Sequence, residues 1–248
     1  MPDLSAIRPL RLAGYAREIC DPGGLWYPLR DRRTRQRQAA FAYAEAMSAA
    51  RYRLIARFYD LLDLPFELFR YRRLRPAVFE GLSGRLLDAG AGTGRNISFY
   101  PEGAEVTGID ISPAMLERAK RRQERLGRKV DLALMDVCAT AFDDDSFDAA
   151  VATFLFCVLD EADQTPALVE LARITRPGGE LRLMEYTLSA DPFARCVMRL
   201  WAPWVRLAFG AGFERRTEEH VVRVTGLELI ERRFVFRDII KLLVIRVT

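Results

Sequence analysis

The spacing of hydrophobic residues changes repeatedly along the chain and predicts alternating strands and helices. Short apolar runs predict strands at 85–88, 104–110, 130–135, 147–153 and 180–186, and two more within 227–247 that separate near Arg237 and Asp238. Helical spacing predicts helices at 38–58, 66–82, from Ser112 onward with Pro113 in its first turn, at 162–175 and at 191–209, with interruptions expected at Pro76 and Pro203. Such alternation indicates a mostly parallel sheet covered on both faces.

The N-terminal part of the chain differs from the rest in its proline and glycine content and in its charge. Prolines and glycines between residues 2 and 28 predict an irregular extension over about 1–36. Residues 1–58 carry eleven arginines against five acidic residues, whereas the whole chain has a net charge of +4. We therefore predict a basic N-terminal extension (1–45), a helical cap (46–82) and a core (83–248). A basic arm suits anionic lipid or nucleic acid, or is simply a solvated tail.

Composition excludes several classes of protein. Half of the residues are apolar and 29% are charged, which is typical of a globular protein and not of a disordered one. The longest uncharged apolar run, 149–159, is too short to span a bilayer, and no apolar leader with a cleavage site is visible, so we expect a cytoplasmic protein. The four cysteines form no CxxC pair and His220 is the only histidine, so neither a metal site nor a disulfide framework is expected.

The sharpest signal is a glycine-rich turn, LLDAGAGTG, at 86–94. It follows a predicted strand, which places it at the carboxyl edge of a parallel sheet, where ligands bind. Gly90, Gly92 and Gly94 permit tight backbone angles and close approach of a ligand. Their GxGxG spacing departs from the GxGxxG fingerprint of dinucleotide sites. Asp88 beside them suits a cationic group, such as the α-ammonium of an amino acid, better than a pyrophosphate.

Two further carboxylates end the next two predicted strands. Asp110 can accept hydrogen bonds from both hydroxyls of a ribose, and Asp136 can accept one from the exocyclic amine of adenine. Each aspartate alone could be an ordinary turn former or helix N-cap. The ordered combination of Asp88, Asp110 and Asp136 at natural βαβ spacing predicts a nucleoside site.

These residues resemble the class I S-adenosylmethionine-dependent methyltransferases over about 59–247. The stretches concerned are DAGAGTG at 88–94, GIDISPAML at 108–116, DSFD at 145–148 and RPGG at 176–179. The resemblance implies an α/β fold with a doubly wound, seven-stranded, mostly parallel sheet whose last strand is antiparallel, and S-adenosyl-L-methionine as cofactor. It implies cofactor contacts from the glycine turn, the strand ends and one residue ahead of the core: Tyr59, Asp88, Gly90, Ala91, Gly92, Gly94, Asn96, Asp110, Ile111, Met115, Asp136, Val137, Thr153 and Phe154.

A finer resemblance concerns the acceptor. FYD at 58–60 is similar to the ubiquinone and menaquinone C-methyltransferase-like group. NISFYP at 96–101, FCVL at 156–159 and MEY at 184–186 resemble bacterial phosphatidylethanolamine N-methyltransferases, and also membrane-associated thiol methyltransferase-like proteins of animals. The likeness implies a lipid-like or small amphiphilic acceptor, with phospholipid N-methylation leading.

Several alternatives stay open beside that reading. They are quinone C-methylation, methylation of a thiol or small metabolite, and a cofactor-binding regulator without turnover. A nucleic-acid acceptor is not expected, because TFLF stands at 153–156 where an NPPY-like tetrapeptide would follow the fourth strand. The sequence leaves the oligomeric state open.

Methyl transfer from a sulfonium is an in-line displacement that requires a positioned lone pair. The candidate catalytic residues are Tyr59, Glu185 and Tyr186, with Asp60 as a further base, although Glu185 could equally be a structural hydrogen-bond partner. The candidates to line the sulfonium site are Phe58, Tyr59, Phe154 and Phe156, of which one of the last two is expected in the core. His220 is expected at the surface, and Cys157 as a small buried side chain.

The same resemblance implies that residues 191–213, which follow the fifth predicted strand of the core, form a substrate-recognition insert. Its apolar side chains, Phe193, Met198, Trp201, Trp204 and Phe209, are accompanied by an arginine stripe of Arg195, Arg199 and Arg206. This pattern suits an interfacial helix on an anionic membrane, a lid over an apolar pocket, or a cap helix that buries its aromatic residues.

Overall fold

The computed structural model describes residues 18–20, 26–28, 71–209 and 212–248, with the side chains of 18–20, 26–28 and 206–209 not included. Two short antiparallel strands come first, β1 (Glu18–Cys20) and β2 (Trp26–Pro28). The main sheet has seven strands in the order β5-β4-β3-β6-β7-β9-β8. These strands are β3 (Arg85–Ala89), β4 (Glu105–Asp110), β5 (Asp131–Leu134), β6 (Phe147–Thr153), β7 (Thr175–Tyr186), β8 (Leu227–Phe236) and β9 (Ile240–Val247).

Helices connect these strands. They are α1 (Arg72–Leu74), α2 (Pro76–Phe79), a 3₁₀ helix (Arg95–Phe99), α3 (Pro113–Leu126), α4 (Glu161–Ile174), α5 (Pro192–Phe209) and α6 (Thr217–Arg223). Strands β3 to β7 pair in parallel, whereas β9 runs antiparallel to both β7 and β8. This arrangement confirms the predicted doubly wound sheet and its antiparallel last strand.

The sheet has a hydrophobic core on each face, because successive residues of a strand point to opposite sides. One core joins alternate residues of β3 to β9 to α4 and α6, with Leu168 and Val221 among its helical members. The other joins the remaining positions to α2, the 3₁₀ helix and α3, through Val78, Ile97 and Leu116. Asp88 and Tyr186 lie on this second face, next to Leu86 and Met184 at the same strand parity.

The structure tests the predicted interruptions and caps of the helices. The interruption expected at Pro76 is confirmed, because the segment 71–79 forms two short helices and Pro76 opens the second. Pro203 does not interrupt α5, which continues to Phe209, because one missing backbone donor removes a single hydrogen bond of an 18-residue helix. Ser112 occupies the N-cap of α3, but its side chain forms no capping bond.

Two further differences concern strands. β7 begins at Thr175, directly after α4, and its register against β6 shifts between Phe147 and Ala149, so that RPGG lies inside the strand and does not precede it. Strands β1 and β2 lie in the segment predicted to be irregular. The sequence did not predict them, because three-residue strands are too short to show periodicity. The predicted helix 38–58 falls outside the described residues.

No helix within the described part of the chain combines the length and the hydrophobicity needed to cross a membrane.

Candidate functional site

The glycine-rich turn leaves β3 and reaches the 3₁₀ helix through three glycines with left-handed φ angles. The backbone N–H groups of Gly90 and Ala91 both donate to the carbonyl oxygen of Ile109 at 2.9 Å, which ties the turn to the end of β4. A Cβ at Gly94 would lie 3.0 Å from Ala119 of α3, so a side chain is excluded there. At Gly92 the nearest atom would be 3.9 Å away, so the space beside this turn is open to a ligand.

Asp88 lies at the centre of a buried hydrogen-bond network on this side of the sheet. Its two carboxylate oxygens each accept a hydrogen bond from Asn96 Nδ2 at 3.0 Å, and Oδ2 also accepts one from the Tyr100 hydroxyl at 2.6 Å. Asn96 in turn accepts a hydrogen bond from Arg75 Nη1 at 2.7 Å. Burial raises the pKa of Asp88 to about 6, although Tyr100, Asn96 and Arg75 act in the opposite direction.

Asp110 ends β4 and connects the glycine turn to the start of α3. Its Oδ2 accepts a hydrogen bond from Gly92 N–H at 2.9 Å, and its Oδ1 accepts one from Ser112 N–H at 2.8 Å. Burial raises the pKa of this carboxyl, against the effect of those two amides. Each ionised oxygen retains acceptor capacity, which is what a ribose diol requires.

Other predicted cofactor residues surround Asp110 on the same edge. Ile111 is exposed, and Met115 in the first turn of α3 is half-buried. Asp136 follows β5, and its Oδ1 accepts a hydrogen bond from Cys138 N–H at 2.9 Å, while Val137 is buried in the core. Asp136 is thus also a turn former, which was the alternative left open by the sequence, and it follows β5, the strand that pairs with β4.

Thr153 and Phe154 close the site where β6 ends. Thr153 Oγ1 accepts a hydrogen bond from Asn96 Nδ2 at 3.1 Å, which connects β6 to the Asp88 network. Phe154 has a φ of 59°, a left-handed conformation that is uncommon for an aromatic residue. Its backbone N–H donates to Met184 O at 2.7 Å, so the neighbouring strand holds this turn.

An aromatic cluster lies beside Phe154, formed by Tyr71, Phe154, Tyr186 and Phe213. Tyr186 stacks on Phe154 with 4.9 Å between ring centroids, and Phe213 meets Tyr186 edge-on at 5.5 Å. Tyr71 packs against Phe154 at 5.1 Å, and its hydroxyl contacts that of Tyr186. The cluster gathers the predicted residues Phe154 and Tyr186. Sequence reasoning missed Tyr71 and Phe213, since no local motif marks them.

Glu185 lies on the other face of the sheet, which argues against its predicted role as a base. It is fully buried, with its carboxylate 3.1 Å from Lys241 Nζ and hydrogen-bonded to the Thr217 hydroxyl at 2.7 Å. Burial raises the pKa of Glu185, and the charge of Lys241 opposes that effect. This is the structural role that the sequence left open as the alternative.

Three further predictions have clear outcomes. The surface position expected for His220 is wrong: it is only 5% exposed, and its ring nitrogens are 2.8 Å from Thr165 Oγ1 and from Glu161 Oε1. Cys157 is a fully buried side chain whose thiol pKa is raised by burial, and Phe156 belongs to the core. Phe58, Tyr59 and Asp60 lie outside the described residues.

The residues at this edge fit S-adenosyl-L-methionine. Asp88, Asp110 and Asp136 lie at or just beyond the carboxyl ends of the neighbouring parallel strands β3, β4 and β5, which is the arrangement that the predicted contacts to the methionine end, the ribose and the adenine require. The open side of Gly92 leaves room between them, and the faces of Phe154 and Tyr186 suit a sulfonium. When bound, this cofactor supplies an electrophilic methyl group.

Comparison with known proteins agrees with this geometry. Residues 86–179 match the family model described as a methyltransferase domain. A phosphatidylethanolamine N-methyltransferase from Cereibacter sphaeroides is 37% identical over 117 residues, which cover 46% of this chain and 57% of that protein. A demethylmenaquinone methyltransferase from Thermobifida fusca is 35% identical over 171 residues, which cover 65% of this chain and 72% of that protein.

Coverage differs between relatives. The chain spans 57% of the Cereibacter protein and 62% of a demethylmenaquinone methyltransferase from Thermus thermophilus. Among solved structures, the geranyl diphosphate C-methyltransferase from Streptomyces coelicolor, in complex with S-adenosyl-L-homocysteine, superposes with a TM-score of 0.60 at 16% identity, covering 73% of this chain and 81% of that one. That likeness supports the fold. The identity to the Thermobifida relative, of which the chain covers 72%, shows that the chain belongs to the S-adenosylmethionine-dependent methyltransferase family.

Proposed function

We propose that the protein transfers a methyl group from S-adenosyl-L-methionine to a lipid-like or small amphiphilic acceptor, and that the amine of phosphatidylethanolamine is the leading acceptor. The observation that carries this proposal is the aromatic cluster of Tyr71, Phe154, Tyr186 and Phe213. It adjoins the Asp88 network through Thr153 and Phe154, so an acceptor on these rings is next to the cofactor residues.

The chemistry of this cluster suits an amine. Aromatic faces attract ammonium cations, and rings packed together exclude water from the reacting atoms. The hydroxyl groups of Tyr71 and Tyr186, which contact each other, are the polar atoms of the cluster. An ammonium acceptor must first lose one proton to solvent. We assign this pair the role of orienting the resulting amine nitrogen by hydrogen bonds, so that its lone pair would point at the methyl group while the sulfonium would leave as a neutral thioether. Tyr59, the other predicted catalytic tyrosine, stays a prediction.

Quinone C-methylation is the second candidate. Four of the relatives compared are named demethylmenaquinone methyltransferase or ubiquinone/menaquinone C-methyltransferase at 30% identity or more and 60% or more coverage of the relative. A flat quinone ring also packs well against aromatic faces. Methylation of a thiol or other small metabolite remains a third possibility of the same site, and no nucleic-acid acceptor is proposed.

An amphiphilic acceptor requires access to a lipid surface, and we propose that α5 provides peripheral contact with an anionic membrane. Apolar side chains at 193, 197, 200, 201 and 204 share one helical face, and Phe193, Leu200 and Trp201 are 78%, 75% and 55% exposed. The sequence of α5 has three arginines and no acidic residue. Tryptophan with arginine is typical of helices that lie in the headgroup region. The predicted cytoplasmic location is compatible with such reversible contact.

A methyl-transfer assay on defined acceptors tests the function. The protein is incubated with labelled S-adenosyl-L-methionine and, separately, with phosphatidylethanolamine vesicles, a demethylmenaquinone and a small thiol. Labelled phospholipid supports phosphatidylethanolamine as the acceptor. Label found only in the quinone or only in the thiol shows that this compound class is the acceptor instead. Tight cofactor binding without transfer to any acceptor overturns the enzymatic proposal in favour of a cofactor-binding regulator.

Vesicle sedimentation tests the membrane contact independently. We expect the full chain to sediment with anionic vesicles and much less with neutral ones. The double variant L200S/W201S should lose most of the binding to anionic vesicles. The matched control is Val222→Ser, which removes a side chain that is 79% exposed on α6. Equal recovery of wild type and double variant would overturn the role of α5.

A further inference from the structure

The acceptor positions of Asp88 are almost all occupied by protein donors. A carboxylate has about four lone-pair sites. Oδ2 receives the Tyr100 hydroxyl and Asn96 Nδ2, and Oδ1 receives Asn96 Nδ2. The side chain has no solvent exposure, so its orientation is set by these donors and not by water. The contacts described here place no protein donor at a fourth acceptor position, on Oδ1.

Arg75 fixes the orientation of Asn96. The amide oxygen accepts a hydrogen bond from Arg75 Nη1 at 2.7 Å, so the amide nitrogen must face Asp88 and Thr153. A flipped amide would place its oxygen against the Asp88 carboxylate and its N–H groups against the Arg75 guanidinium, and both contacts would be repulsive. Arg75 is itself only 7% exposed and lies 5.9 Å from the centroid of Phe154, so it touches both the cofactor side and the aromatic cluster.

Tyr100 and Arg75 also favour the charged form of Asp88. Burial raises the pKa of this carboxyl, whereas the hydrogen bonds from Tyr100 and Asn96 and the positive charge of Arg75 lower it. An ammonium group requires the ionised carboxylate, so these neighbours keep Asp88 in the state that binds it. Tyr100 is protonated at neutral pH, because burial and the adjacent carboxylate raise its pKa.

We propose that Arg75 and Tyr100 are positioning residues for the methionine end of the cofactor, acting through Asn96 and Asp88. The proposal rests on the cofactor site described above. It assigns a role to the short helical segment ahead of the core, since Arg75 lies between α1 and α2. Neither residue belongs to the glycine turn or to a strand end.

Two ligands separate this role from general folding. S-adenosyl-L-homocysteine carries the amino-acid end, whereas 5′-methylthioadenosine has the same nucleoside and no ammonium group. In calorimetric titrations, we expect Tyr100→Phe and Arg75→Gln to lower the affinity for S-adenosyl-L-homocysteine at least tenfold. The affinity for 5′-methylthioadenosine should fall less than twofold. Tyr100→Phe keeps the ring contact with Phe79, at 5.3 Å between centroids, so packing is conserved. Arg75→Lys retains a donor and should recover part of the loss.

The matched control is Arg182→Gln. Arg182 holds the same segment through hydrogen bonds to the carbonyl oxygens of Val78 and Glu80, without contacting the Asp88 network. It should not discriminate between the two ligands. In addition, the pH midpoint for S-adenosyl-L-homocysteine affinity should move upward in Tyr100→Phe, because one donor that stabilises the carboxylate is lost.

Equal losses for both ligands, or no loss for either, would overturn the positioning role. Failure of the proposed cofactor site is a distinct result, in which wild-type protein binds neither ligand, and it would remove both proposals together. Folded variants are identified by thermal midpoints within a few degrees of wild type. If Arg75→Gln fails to fold, Tyr100→Phe, which retains the ring contact with Phe79, and Arg75→Lys decide the test.

Discussion

Lys241 lies directly opposite Glu185 on neighbouring antiparallel strands, and its Nζ is 3.1 Å from the Glu185 carboxylate although neither residue is more than 2% exposed. Glu218 of α6 contacts the same ammonium group, so the pair also attaches a helix to the sheet. A buried ion pair of this kind adds little net stability, but loss of one partner leaves an uncompensated charge in the interior.

We therefore expect Lys241→Met to lower the free energy of unfolding by about 3–5 kcal/mol. The double variant K241M/E185L should recover most of that loss, since both fully buried charges are gone and Glu218, which is partly exposed, keeps its ion pair with Arg232. Urea denaturation measures both. The control is Arg121→Met, which removes an exposed i,i+4 pair with Glu117 and should cost less than about 0.5 kcal/mol. A Lys241→Met protein as stable as the control would contradict the prediction.

Features built from residues close together in the sequence could be predicted, whereas contacts between residues far apart in the sequence could not. Asp88, Asp110 and the glycine turn could be predicted because strand, turn and helix follow one another within 30 residues and each leaves a local signal. The network around Asp88 is partly local too, since Asn96 and Tyr100 lie 8 and 12 residues away. What the sequence could not provide was the direction of each side chain within that network.

The missed contacts join residues far apart in the chain. Tyr71 meets Tyr186 across 115 residues, and His220 meets Glu161 across 59. No spacing rule relates such positions, because their contact depends on how the sheet and helices pack. The sequence left two roles open for Glu185 for a related reason. It and Tyr186 end the same strand, but adjacent residues of a strand point to opposite faces, and only Tyr186 lies on the face of Asp88.

Asp110 offers a direct test of the ribose site. Asp110→Asn should lower the affinity for S-adenosyl-L-homocysteine about tenfold to a hundredfold, since a hydrogen bond to a charged acceptor contributes about 1.5–3 kcal/mol. Calorimetric titration measures the change. Asp131→Asn is a suitable control, because this exposed carboxylate begins the neighbouring strand β5 at the opposite edge of the sheet. Equal affinities for Asp110→Asn and wild type would show that the ribose binds elsewhere.

Asp88 predicts a specific dependence of stability on pH. Its pKa is raised from 3.8 to about 6 in the folded protein, so the folded state binds more protons than the unfolded state between those values. Its contribution is therefore fully present below about pH 4 and is lost as the pH rises to about 6, by roughly 3 kcal/mol at most. The comparison is with Asp88→Asn, whose stability should lack this decline. Urea denaturation from pH 4 to pH 7 measures the difference, and parallel curves would refute it.

The hydroxyl pair of Tyr71 and Tyr186 predicts non-additive effects on turnover. If both phenols orient one acceptor atom, Tyr186→Phe and Tyr71→Phe should each lower kcat by up to about a hundredfold, because a misplacement of the reacting atom by 1 Å can cost about that much. The double variant should be little worse than either single one, because residues that act as a unit do not add. Affinity for S-adenosyl-L-homocysteine should stay within about twofold, since the rings and the Asp88 network are unchanged.

The matched control is Phe213→Leu, which trims the same aromatic cluster at its edge contact with Tyr186 but removes no hydroxyl group. It should raise KM for the acceptor more than it lowers kcat, because it removes binding surface that the ground state and the transition state share. Steady-state kinetics on the acceptor identified by the transfer assay separate these effects. Additive losses for the two tyrosines, or a kcat for Tyr186→Phe equal to that of wild type, would place the reacting atom away from this pair.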